Sequence, residues 1–208
     1  MDYLYLWVIF AVLCAVTAFV FKKASKSMRA HNDGQKQVYA EIERLKSLKA
    51  QYKNADMRTI EKAEPRELLA GAYAVLQSKL ERAENPDALF DDMPEPCRYI
   101  YTLSCFTEDV QTEGLTFFFK NNGAILLQCA VSAFEAVGQT EAAEIIRAEY
   151  AMFDENNEEV SLDTEQFSKF DADFKAVYDA EKLLEAVKQY ILEHHTEILG
   201  NPPEEEEF

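Results

Sequence analysis

The sequence predicts an all-α protein: a single N-terminal transmembrane helix followed by a compact multi-helix globular domain. Three observations carry that expectation. Residues 3–21 run without a charge. From residue 38 onward, apolar side chains recur three and four apart, the period of a helix with one buried face. No stretch of useful length alternates apolar and polar residues as a half-buried strand does, and no internal repeat is found.

The uncharged run YLYLWVIFAVLCAVTAFVF, Tyr3 to Phe21, is long enough as a helix to cross a hydrocarbon layer of about 30 Å. Tyr3, Tyr5 and Trp7 at one end suit a membrane interface. Lys22, Lys23, Lys26 and Arg29 crowd the other end, which puts the N-terminus outside and the rest of the chain in the cytoplasm. A cleaved signal peptide would carry its positive charge before the apolar run, and nothing basic precedes this one. The expected layout is an anchor with a basic juxtamembrane segment over 1–29, a stalk helix and linker over 30–64, a helical domain over 65–200, and an acidic tail over 201–208.

Residues 31–54 are polar, with Val38, Ile42, Leu45 and Tyr52 on one face. The pattern is too short for a coiled coil, so this helix is expected to dock on its own domain. Pro65 fits a first helical position, and Leu69, Ala72, Tyr73, Leu76 and Leu80 follow at helical spacing. Asn85-Pro86 is expected to end that helix, and Asp91 to Pro96 to form a rigid acidic loop. The next helix, Cys97 to Thr112, carries Tyr99, Leu103, Phe106 and Val110 on one side. Near the C-terminus, Asp163 with Gln166 reads as a variant capping box. Phe167, Phe170, Phe174 and Val177 line one helix face, and Leu184, Val187, Ile191 and Ile198 line the last helix, which Gly200 stops.

Val110 to Phe153 is the most apolar stretch outside the N-terminus. Three consecutive phenylalanines, Phe117 to Phe119, precede a turn at Asn121-Asn122-Gly123. Ala124 to Val137 is apolar nearly all round, with a narrow polar stripe of Gln128, Ser132 and Glu135, so it reads as a helix buried among others. Gly138 suits a helix C-terminus in left-handed geometry, and Thr140 suits the N-cap of the next helix. That helix shows Ala142, Ile146, Tyr150 and Phe153.

Through Val110, Gly114, Phe118, Phe119, Asn121 and Gly123, this run and the helix ending at Val137-Gly138 resemble the C-terminal helical domain of the DNA mimic protein family. Thr112 and Glu113 stand where that family has Asn and Gly, Leu115 replaces an aromatic residue, and Phe117 replaces Gln. The resemblance covers the middle third of the chain. It implies an all-helical fold, a structural role in turn and core for the six residues, and, from the founding member, an acidic surface that occupies the DNA site of a DNA-binding protein.

The charge agrees with a basic protein partner. The net charge is −17; four basic residues against Asp2 give residues 1–29 a charge of +3, which leaves −20 for the rest. Such a chain lacks the basic surface that direct phosphate contact needs, so ordinary nucleic-acid binding is excluded. Electrostatic steering toward a basic protein is favoured. The candidate partner-binding carboxylates are Asp91, Asp92, Asp154, Glu155, Glu158, Glu159, Asp171 and Asp173. The alternative role is a structural or assembly factor at the membrane, with acidity serving solubility alone.

No catalytic constellation is found, and neither a cofactor nor an enzymatic activity is expected. Cys14, Cys97, Cys105 and Cys129 include no CxxC pair, so they read as small thiols rather than zinc ligands. His194 and His195 are adjacent, and neighbours on a helix point about 100° apart, which does not suit one metal. Asp154 to Glu159 lacks the residue order and glycine of a calcium loop. Gly-rich phosphate loops, Gly-x-Ser-x-Gly and His-Glu-x-x-His are absent from the sequence.

Overall fold

The computed structural model describes residue 36 and residues 38–122, 124–153 and 165–202, and all regular structure among them is helical. The chain divides into two units, Met1–Arg44 and Leu45–Phe208. In the first, residues 38–44 are helical, and Val38, Tyr39 and Ile42 are exposed.

The second unit opens with helical residues 45–52, here α1, whose Leu48 and Tyr52 are buried. Tyr52 lies against Gly71 so closely that a Cβ there would overlap its ring. A glycine is therefore required at that contact. Helix α2 (Met57–Lys62) starts at Asp56, whose carboxylate accepts from Thr59 N–H at 2.8 Å. Helix α3 (Pro65–Leu80) has proline in its first turn, as expected. Helix α4 (Pro86–Asp92) is followed by α5 (Glu95–Glu113), α6 (Leu115–Asn121), α7 (Ala124–Ala136) and α8 (Thr140–Tyr150). Helices α9 (Glu165–Val177), α10 (Ala180–Glu193) and α11 (His195–Leu199) complete the unit. Asp179 caps α10 by accepting from the N–H groups of Glu181 and Lys182, both at 3.1 Å. Lys188 of α10 donates to the carbonyls of Glu61 and Ala63 at 2.9 and 2.7 Å, tying α10 to the end of α2.

Helix α5 runs through the middle, against α3, α6, α7, α10 and α11. Its Cys97, Ile100, Leu103 and Phe106 are all buried. Phe106 is the centre of an aromatic cluster, with ring centroids 4.9 Å from Phe118, 4.6 Å from Phe134 and 5.5 Å from Phe174. Four helices, α5, α6, α7 and α9, thus meet at one ring.

Several expectations need correction. Among the described residues no helix is long and apolar enough to cross a membrane. The expected span, residues 3–21, lies outside the described residues, as does the acidic tail from residue 203. What the structure describes is an all-helical domain, and no described helix supports the expected anchor or the single-pass topology, with the N-terminus outside and the domain in the cytoplasm. Asn85-Pro86 does not end a helix but starts one: α3 stops at Leu80, and Asn85 caps α4 by accepting from Ala88 N–H at 3.3 Å. Asp91 and Asp92 consequently close a helix rather than lie in a loop, and Glu95 opens the next. Gly138 has φ 74, as a left-handed C-terminus requires, but Gln139 rather than Thr140 takes the N-cap position. The last expected helix breaks at His194, which has φ −117 and separates α10 from α11. Asp163 lies outside the described residues.

Because Phe106 is fully buried among the rings of Phe118, Phe134, Phe174 and Tyr178, Phe106→Ala should destabilise the domain by about 3–5 kcal/mol through lost transfer energy and a cavity. Denaturant titration followed by circular dichroism measures this, and a loss under about 1 kcal/mol would contradict the packing described.

Candidate functional site

Gly114 and Asn121, two of the residues that carry the family resemblance, stand at the two ends of α6, where polar ties hold that helix. Gly114 ends α5 with φ 99, in the region that favours glycine, and a Cβ there would sit 3.3 Å from Asp171 Oδ1. Immediately after it, Thr116 N–H donates to that same Asp171 oxygen at 2.8 Å, joining the start of α6 to α9. The Thr116 hydroxyl donates to Glu149 Oε1 at 3.2 Å, joining α6 to α8. At the other end, the side-chain amides of Asn121 and Asn122 donate to the two oxygens of Asp109 on α5, at 2.9 and 2.6 Å. Asn122 also donates to Phe118 O at 2.8 Å. Between these ends Phe118 and Phe119 are buried, and Val110 packs half-buried against the core. Gly123 lies outside the described residues.

Asp109, Thr116 and Glu149 were not among the residues singled out from the sequence. A signal was present: Glu149 falls three after Ile146 and four before Phe153, on the apolar face of its helix. Asp171 holds the matching place between Phe167 and Phe174. A carboxylate on an apolar stripe must find a partner or a proton.

Glu149 does both. It is fully buried, and Oε2 has no hydrogen-bond partner among the described residues. Burial pushes its carboxyl up to about 8, the nearby Asp171 charge pushes the same way, and the Thr116 hydrogen bond pulls back. At neutral pH Glu149 is therefore mostly protonated. No solvent reaches the carboxyl, so this constellation acts as an internal tie between α6, α8 and α9.

The acidic candidates fall into distinct settings. Asp91 and Asp92 are exposed in the last turn of α4. Asp173 is exposed on α9, whereas Asp171 is half-buried and turned onto the backbone of α6. Asp154, Glu155, Glu158 and Glu159 lie outside the described residues. The two histidines find separate partners: His194 Nδ1 lies 3.1 Å from Glu197 Oε1, and His195 Nδ1 lies 3.1 Å from Leu192 O. Among the described residues, no group of three or more His, Cys, Asp or Glu is arranged to hold a metal ion.

A family model described as DMP19-like protein matches residues 91–194, half of the chain, from the end of α4 to the end of α10. No curated protein matches the chain, and no solved structure does.

The Glu149 setting predicts a pH dependence. Its folded value, about 8, is raised above the ordinary 4.5, so this group's contribution is fully present below about 4.5 and is lost as pH rises through about 8. Glu149→Gln removes that dependence. Thermal melts at pH 5, 7 and 8.5 should therefore show the variant gaining on the native chain as pH rises. A constant difference across the series would contradict the assignment.

Proposed function

The chain belongs to the DMP19-like protein family, and from that premise we propose that it is a protein-binding module whose acidic helical domain takes the place of DNA on a basic, DNA-binding partner. One observation carries this reading: the family match falls on the helical domain of a chain whose net charge is −17. Carboxylates held on packed helices form a fixed array of negative charge, and a surface built to hold phosphates is attracted to such an array. Direct nucleic-acid binding by the chain itself is disfavoured by the same charge.

The test uses the full chain as bait in a cell extract, followed by re-binding of each retained protein in pure form. The expected partner binds labelled DNA and releases it when the chain is added. Its affinity for the chain should fall as salt rises, because screening weakens an interface made of opposite charges. Replacing Asp91, Asp92, Asp154, Glu155, Glu158, Glu159 and Asp173 by Asn or Gln keeps the shape, removes the charges, and should reduce DNA release. A retained partner with no basic face, or DNA that fails to compete, would end the DNA-mimic reading.

A further inference from the structure

We infer that Glu149 is a proton-operated latch for α9: with its proton in place the first half of α9 is seated on α6 and α8, and loss of the proton releases that half while the core of the domain stays folded. The inference does not depend on the DNA-mimic reading.

Helix α9 packs against α8 and α6. These are the two helices that meet at Glu149, through the bond from the Thr116 hydroxyl to Oε1. Asp171, midway along α9, completes the junction by accepting from Thr116 N–H. The three helices are not braced alike. Helix α6 is tied at its far end to Asp109 by Asn121 and Asn122. Helix α8 is joined to α7 by the turn at Gly138, where Gln139 N–H donates to Phe134 O at 2.8 Å, and by the ion pair of Arg147 with Glu135. The second half of α9 is held by the Phe174 ring, 5.5 Å from Phe106 and 6.3 Å from Phe134. The first half has buried Phe167, the Asp171 bond to α6, and an exposed contact of the Gln166 amide with the Met152 sulfur. It is therefore the wall of the junction with the least to hold it.

Glu149 is fully buried, and its Oε2 has no hydrogen-bond partner among the described residues. Burial and then the Asp171 charge oppose its ionisation, while the Thr116 hydroxyl favours it. Every other charged side chain of α6, α7, α8 and α9 is exposed. A second negative charge beside Asp171 thus gains no inward cation from these helices and no water. Lifting the first half of α9 separates the two carboxylates and hydrates both, so proton loss and opening are coupled. The closed value is about 8, against 4.5 for the ordinary group. Closing is accordingly favoured most below about 4.5, weakens about tenfold with each pH unit as pH rises toward about 8, and levels off above it.

Thr116 N–H reports the latch directly. It lies in the first turn of α6, where N–H groups have no partner in their own helix, and its acceptor is on α9. Hydrogen exchange of the full chain is followed by nuclear magnetic resonance from pH 5.5 to 9, each rate taken relative to an unstructured peptide at the same pH. Protection of Thr116 is expected to fall about a hundredfold between pH 5.5 and 7.5, one proton being lost per opening. At every pH it should lie below that of the Leu103 amide in the core of α5. Glu149→Gln keeps the shape of the protonated acid and should make the Thr116 protection constant. Asp171→Asn keeps the acceptor oxygen and removes the charge, so protection should level off at a lower pH than in the native chain. Thr116 protection equal to that of Leu103 throughout would mean that the domain opens only as a whole, and would overturn the latch. An unchanged slope in Glu149→Gln would do the same. Should that variant fail to fold, Asp171→Asn decides, and levelling at the native pH overturns the inference.

Discussion

A carboxyl group with no path to water constrains much of this domain. The charged form of Glu149 would be costly where it sits, so the group keeps its proton and needs neighbours that tolerate it. Thr116 supplies a hydroxyl, and Asp171 lies close enough to raise the cost of ionisation further. Meeting these conditions brings α6, α8 and α9 into one arrangement. The backbone bond from Thr116 to Asp171 then leaves little room at Gly114, where a Cβ would lie 3.3 Å from the same carboxylate. A second internal carboxylate, Asp109, is satisfied at the opposite end of α6 by the amides of Asn121 and Asn122. A helix as short as α6 does not persist in isolation. Polar ties at both ends and the burial of Phe118 and Phe119 hold it in place.

The helices were legible where a long apolar stripe declared them. Helices α3, α5, α7, α8 and α10 follow from apolar residues at three-and-four spacing, and the buried character of α7 follows from its narrow polar stripe. The errors come from signals with two meanings. Asn85-Pro86 fits the end of one helix as well as the start of another, and the side chain of Asn85 chose the start. The break at His194 has no proline or glycine to announce it. The transmembrane expectation drew on residues 3–21 and the four basic residues that follow them, all outside the described residues, and no described helix supports it. Of the site, Gly114, Phe118, Phe119 and Asn121 lie in or beside α6, but the carboxylates that tie this helix were not read as such: Asp109 and Glu149 were passed over, and Asp171 was taken for a surface charge. Charge invites placement on the surface, and only their position on apolar stripes argued otherwise.

That distinction alters what the net charge means. A formal count treats every carboxylate alike, yet Glu149 is mostly neutral at pH 7, Asp109 spends both oxygens on internal donors, and Asp171 spends one. The charge offered to a partner comes from the outward residues, such as Asp91, Asp92, Glu95, Asp173 and Glu197. Inward carboxylates set the positions of the helices, and the outward ones ride on those helices. A surface fixed in this way loses little freedom when a partner arrives, which is an advantage for binding that depends on matching charge positions.

Asp91 and Asp92 take this one step further. They occupy the last turn of α4, where the helix dipole is negative and disfavours further negative charge, and no basic residue in that turn offsets it. Two residues on, Pro94 and Glu95 begin α5, so that another carboxylate stands close by. In the free chain these charges repel one another and the end of their own helix. Arg98 of α5 lines the same cavity as Asp91 and Glu95 and lies 3.9 Å from Glu95, so it relieves part of that repulsion within the chain itself. What remains is small, because Asp91, Asp92 and Glu95 are all exposed and solvent screens them.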